Sequence, residues 1–147
     1  MIVEKWNESS VHILSHTLHY GTGVFEGVRA YKTKNGAAIF RLEDHTSRLF
    51  ESARLIGMKI PFDAKELNNA QYQVVKINNL KNAYIRPMCF YGSEGMGLRA
   101  DNLKGHKECD LAWLHSSGQV LLLESCHCQV NLVSYLENKN ILSPVPC

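Results

Sequence analysis

The chain has 147 residues, 45% of them hydrophobic and 20% charged, and a formal net charge of +2. That composition belongs to a globular protein with room for one domain, or one domain and part of a second, and it excludes a disordered chain. The 16 Lys and Arg are dispersed rather than gathered into a footprint for nucleic acid, no apolar run reaches the length of a membrane span, and MIVEKWNESS lacks the three regions of a secretory signal. The five cysteines (89, 109, 126, 128 and 147) are odd in number and show no CxxC spacing. They read as reduced thiols in a cytoplasmic protein.

Along residues 24–31 the side chains alternate. Val24, Glu26, Val28 and Ala30 fall on one face, and Phe25, Gly27, Arg29 and Tyr31 on the other. A period of two predicts a strand. Lys34-Asn35-Gly36 is a hairpin turn signal, and residues 37–41 read as the returning strand. Asp44 is placed to cap a helix over 44–56 whose Leu49, Ala53 and Ile56 share a face, with Gly57 where it should stop.

Asp63 followed by Glu66 has the form of a capping box for a second helix over 64–79, with Leu67, Ala70, Val74 and Ile77 inward and Asn78-Asn79 closing it. Residues 84–91 return to strand, where Pro87 predicts an edge or bulged position. GSEGMGL (92–98) is a glycine-punctuated loop, and 109–114 is a further short strand. Strands, two helices and more strands predict an α+β layer over residues 1–114, with helices on one side of a mainly antiparallel sheet. Residues 115–147 carry strand-like apolar runs and a turn near Asn138. Too short for a core of their own, they read as the first hairpin of a second domain left incomplete.

Few positions offer chemistry. Arg86, between Tyr84 and Pro87, is either a surface arginine or a planar fork for a carboxylate or phosphate with a phenol beside it. His45 and Arg48 project from neighbouring turns of one helix face, which is either solvated or a phosphate anchor. Gly21, Gly23 and Gly27 allow close backbone approach, or are turn residues; they do not form GxGxxG between a strand and a helix. Cys126-His127-Cys128 would put neighbouring ligands on alternate sides of a strand, which argues against a metal. There is no G-x-S-x-G elbow, no HExxH and no persuasive Cys–His pair.

As a set, SHTLHYGTGVFEGVRAY, FRLEDHTSRLFESARLIGM and KNAYIRPMCFYGSEGMGL resemble the bacterial branched-chain amino acid aminotransferases over residues 6–112. The resemblance implies the D-amino acid aminotransferase-like fold (fold type IV) with pyridoxal 5′-phosphate as cofactor. It also implies amino transfer from leucine, isoleucine or valine to 2-oxoglutarate. Phe25 would line the pocket for the branched side chain, with Gly27 leaving room beside it. Tyr84 would bind the substrate α-carboxylate, and Arg86, helped by Tyr20, the distal carboxylate of glutamate. Arg48 would grip the cofactor phosphate. Tyr20 and Leu98 would reach into a neighbouring subunit's site, so a homo-oligomer is implied.

The family's catalytic lysine lies in a K-x-x-G-N-Y context, which this sequence does not contain. After residue 113 the only lysine is Lys139, in ENKNIL. No catalytic residue is therefore assigned, and the strand that precedes Trp6 in the family is expected to be missing. The alternative to an aminotransferase is a non-catalytic dimerising or binding module derived from that family.

Overall fold

The computed structural model describes the backbone of residues 2–5, 10–93, 110–113 and 119–122, and the side chains of 10–93. In chain order the elements are β1 (Ile2–Lys5), α1 (His16–Tyr20), β2 (Gly23–Phe25), β3 (Val28–Thr33) and β4 (Gly36–Ile39). They continue with α2 (Leu42–Leu55), α3 (Ala64–Ile77), β5 (Ala83–Ile85), β6 (Pro87–Phe90), β7 (Asp110–Trp113) and β8 (Gln119–Leu122). All pairings are antiparallel, in the orders β2-β6-β7, β4-β3-β5 and β1-β8. This is the predicted α+β arrangement.

Residues 24–31 do not form one straight strand. They split into β2 and β3, and residues 83–90 split at the same level into β5 and β6. The register nevertheless runs through without a slip, from Gly23↔Phe90 to Phe25↔Met88 and on from Val28↔Ile85 to Ala30↔Ala83. The two halves are one ladder bent at Glu26–Gly27 and Arg86. Proline explains the break, because Glu26 N–H donates to the Pro87 carbonyl (2.9 Å) and Pro87 has no N–H to return. Inward and outward positions still alternate across the bend, with Glu26, Val28 and Ala30 buried and Phe25, Arg29 and Tyr31 exposed.

Pro87 is thus neither at a sheet edge nor in a bulge. It is the first residue of β6, which pairs with β2 on one side and β7 on the other. The expectation of no strand before Trp6 is also corrected. Ile2–Lys5 pairs with Gln119–Leu122, a partner far along the chain that nothing local in the sequence announces.

Both helices cover the inward face. Leu49, Leu67, Val28 and Ile85 are wholly buried between them and the sheet, each worth about 1.5–3 kcal/mol relative to exposure. α2 starts two residues before Asp44, with Arg41 as N-cap in the left-handed region (φ 48°), so Asp44 does not cap it. It accepts instead from Arg41 Nε at 2.7 Å.

At the other end Gly57 (φ 72°) takes the left-handed turn, with Gly57 N–H to Arg54 O and Met58 N–H to Ala53 O closing a Schellman motif. Asn79 (φ 51°) ends α3 in the same way, through Asn79 N–H to Lys76 O and Leu80 N–H to Val75 O. The Asp63–Glu66 capping box is formed in both directions at 2.8 Å. Ile56 and Ile77, expected inward, are exposed. Each lies at the end of its helix, where the buried stripe has run out.

The expectation of reduced thiols does not hold at Cys89, which is disulfide-bonded.

Candidate active site

The bend decides which side chains meet. With the register continuous, Gly27 comes opposite Arg86; Phe25 lies diagonally across from Arg86 and Tyr84 diagonally across from Gly27, on the face turned away from the core. The Arg86 guanidinium carbon lies 5.0 Å from the Phe25 ring centre and 5.5 Å from that of Tyr84. Such a cation between two ring faces is held by the ring quadrupoles as well as by packing. Arg86 Nη2 is 3.4 Å from the Tyr84 hydroxyl, while its Nε is buried and has no hydrogen-bond partner among the described residues. A half-buried guanidinium with uncommitted donors, beside an exposed phenyl ring, can receive an anion at one end and an aliphatic group at the other.

Gly27 is required by this arrangement. A Cβ there would stand 2.7 Å from the Tyr84 hydroxyl and 3.2 Å from its ring. Only a glycine lets the tyrosine lean back across the strand towards Arg86.

Arg48 is not among these four. It approaches the bend from α2, on the core face, and meets Glu26. Arg48 Nε and Nη2 donate to Glu26 Oε1 and Oε2, both at 2.6 Å, and His45 Nδ1 donates to Oε2 at 2.9 Å. Burial pushes the Glu26 carboxyl up, but the hydrogen bonds from Arg48 and His45 and their charges outweigh it, leaving the group below the ordinary carboxylate value. The same contact raises Arg48 further. Glu26 is 5% exposed and Arg48 66%, so the acid is fixed in the protein and the guanidinium reaches out of it.

Beside Arg48 a cleft of about 740 Å³ is lined by Asp44, Ser47, Arg54, Lys59 and Ile60 among others. It contains none of Phe25, Tyr84 and Arg86. Strand alternation links the two regions, because Glu26 points to the helices while its neighbours Phe25 and Gly27 point away.

Tyr20 closes α1, a helix that the sequence reading did not anticipate. Five residues are too few for a visible period. Bonds from outside hold it: His16 N–H to Gly92 O, and Thr17 Oγ1 accepting from Tyr91 N–H and donating to Thr22 O. The Tyr20 ring is 4.6 Å from His16 and 6.1 Å from His19, and is 46% exposed. Leu98 and Cys126-His127-Cys128 lie outside the described residues.

Glu26 was missed as a functional position. It is the one ionisable residue at an inward position of an otherwise apolar alternation, and a buried acid needs a cation opposite. That signal was available.

A bent antiparallel ladder, two covering helices and an arginine–aromatic face define a class. Residues 23–119 match the family described as amino-transferase class IV, and the chain belongs to it.

Its relatives narrow the comparison to branched-chain enzymes, as the sequence resemblance implies. The chain is 61% identical over 102 residues to the branched-chain-amino-acid aminotransferase of Pseudomonas aeruginosa, covering 69% of this chain and 33% of that protein. A branched-chain amino acid aminotransferase from T.th., solved with 4-methylvaleric acid and with N-(5′-phosphopyridoxyl)-L-glutamate, matches at TM-score 0.66. Identity there is 38%, over 78% of this chain and 35% of that one. The Escherichia coli enzyme matches at TM-score 0.68 and 32% identity, over 90% and 38%. The chain spans about a third of the length of these relatives. Among the described residues no helix is long and apolar enough to cross a membrane.

Proposed function

We propose that the chain supplies the substrate-side-chain and phosphate-end part of a branched-chain amino acid aminotransferase. The amino donors would be leucine, isoleucine or valine, and 2-oxoglutarate the acceptor. The observation that carries this is the Phe25–Arg86–Tyr84 contact across Gly27, an apolar surface with one cation and one phenol at its edge. A site that takes a branched aliphatic side chain and a distal carboxylate in turn needs that pairing.

Phe25 packs against the aliphatic group, and Gly27 keeps the strand thin there. Tyr84 donates its hydroxyl to the α-carboxylate, and Arg86 neutralises the distal carboxylate of glutamate with help from Tyr20. Tyr20 and Leu98 would act on a neighbouring subunit's site in a homo-oligomer.

Arg48 would hold the cofactor phosphate. Pyridoxal 5′-phosphate fits the residues present, since among the described residues Arg48 keeps three of its five N–H donors uncommitted after its two bonds to Glu26. It borders a cleft where Lys59 adds a further cation, while Arg54 is paired with Glu51 and Asp44 stands at the lining. When bound, that cofactor supplies the electron sink for amino transfer.

The 147 residues contain no K-x-x-G-N-Y sequence. Amino transfer would accordingly depend on a lysine outside them, with residues 1–114 forming the small domain and 115–147 the start of the next. A cytoplasmic location is part of the proposal.

The test is competition. Under this reading 4-methyl-2-oxopentanoate and 2-oxoglutarate displace each other from one site on the chain in calorimetric titration. Simultaneous binding of both, or binding of neither, counts against it.

A further inference from the structure

We infer that Glu26 is a positioning residue for the phosphate anchor, holding the Arg48 guanidinium by one edge so that the other edge is presented to a phosphate ester. The inference rests on the reading of Arg48 as that anchor. Its own basis is the geometry at the bend.

Glu26 is buried on the core face, where strand alternation and the Pro87 contact fix its backbone. Its two oxygens take Nε and Nη2 of Arg48 in a fork, and His45 Nδ1 pins Oε2 from the side. A fork of this kind fixes the plane of the guanidinium as well as its position. What remains is the edge formed by Nη1 and the outer hydrogen of Nη2. Arginine is rich in rotamers, and an exposed one that is held in place loses less freedom when an anion arrives.

Glu26 has an opposing effect that makes the inference testable. Its negative charge partly cancels Arg48 and repels a phosphate on the far side. A carboxylate that only neutralised Arg48 would weaken anion binding, and its removal would strengthen it. A carboxylate that orients Arg48 does the reverse, and the sign of one measurement separates them.

The measurement compares pyridoxine 5′-phosphate with pyridoxine, probes without the aldehyde that would react with surface lysines. Dissociation constants are determined for the 147-residue chain and for Arg48→Ala and Glu26→Gln. The unchanged chain should prefer the phosphate ester, and Arg48→Ala should abolish the preference. Glu26→Gln should reduce it by roughly tenfold, leaving pyridoxine binding unchanged. An unchanged or increased preference in Glu26→Gln, with the preference lost in Arg48→Ala, overturns the inference and leaves the anchor reading standing. A preference that survives Arg48→Ala, or is absent from the unchanged chain, overturns both. Circular dichroism checks folding. Should Glu26→Gln not fold, Glu26→Asp keeps the charge, withdraws it by one methylene and should show the same loss.

Discussion

The hydroxyl of Tyr84 lies over the backbone of Gly27, 2.7 Å from where a side-chain carbon would be. Gly27→Ala cannot keep that contact. The tyrosine must swing away, and it takes with it the phenol next to Arg86. The expected outcome is a loss of about tenfold in affinity for 2-oxo acids with only about 1 kcal/mol of stability lost, because the clashing atom is the tip of a movable side chain. Calorimetric titration beside thermal unfolding checks it; unchanged affinity would mean that Tyr84 has no part in binding.

Glu26 predicts a pH dependence. Its pKa in the fold is below the ordinary value of 4.5, the value it regains on unfolding. The unfolded chain therefore binds a proton first as pH falls, so the stabilisation is complete above about 4.5 and is lost as pH drops through the folded value. Glu26→Gln should flatten this part of the acid limb in thermal melts between pH 6 and about 3. Exposed Glu51, lowered by its Arg54 contact, keeps its own smaller contribution in both proteins.

Local signals were legible in the sequence and non-local ones were not. The strand faces of residues 24–31, the capping box at Asp63 and the turn at Gly57 follow from neighbours a few residues apart, and all are present. The bend at Pro87 was half legible. Its missing donor was plain, but whether it fell at an edge or at a fold in the ladder depended on β7, which lies well beyond it in the chain. Pairing of β1 with β8 and the short α1 had no local signature. At the candidate site Phe25, Gly27, Tyr84 and Arg86 were named from motif resemblance, and strand alternation already grouped them in pairs. The link between Glu26 and Arg48 spans 22 residues and needed the packing of α2 on the sheet.

The helix caps give a prediction independent of function. Asp63→Ala removes the acceptor for Glu66 N–H, while the backbone N–H of residue 63 can still donate to the Glu66 side chain. It should cost about 1 kcal/mol in urea unfolding without changing the slope of the transition. A loss below the measurement error would show that solvent satisfies this helix start equally well.

Core packing sets the largest expected effect. Leu49 is wholly buried on the α2 face that meets the sheet, and Leu49→Ala should destabilise by about 2–5 kcal/mol. Val24, only partly buried against the same core, should tolerate Ala with a smaller loss in the same unfolding assay.

The central claim is that one face, carrying Phe25, Tyr84 and Arg86, accepts either a branched side chain or a distal carboxylate. Arg86→Met tests it most directly, since methionine keeps an unbranched apolar chain against the two rings and removes only the charge and donors. Dissociation constants for 2-oxoglutarate and 4-methyl-2-oxopentanoate are measured on the unchanged chain and on the variant. The account predicts a loss of about tenfold or more for 2-oxoglutarate, the scale of one charged hydrogen bond, with the branched acid held within about twofold. Equal losses for the two acids, or no loss for 2-oxoglutarate, would contradict it.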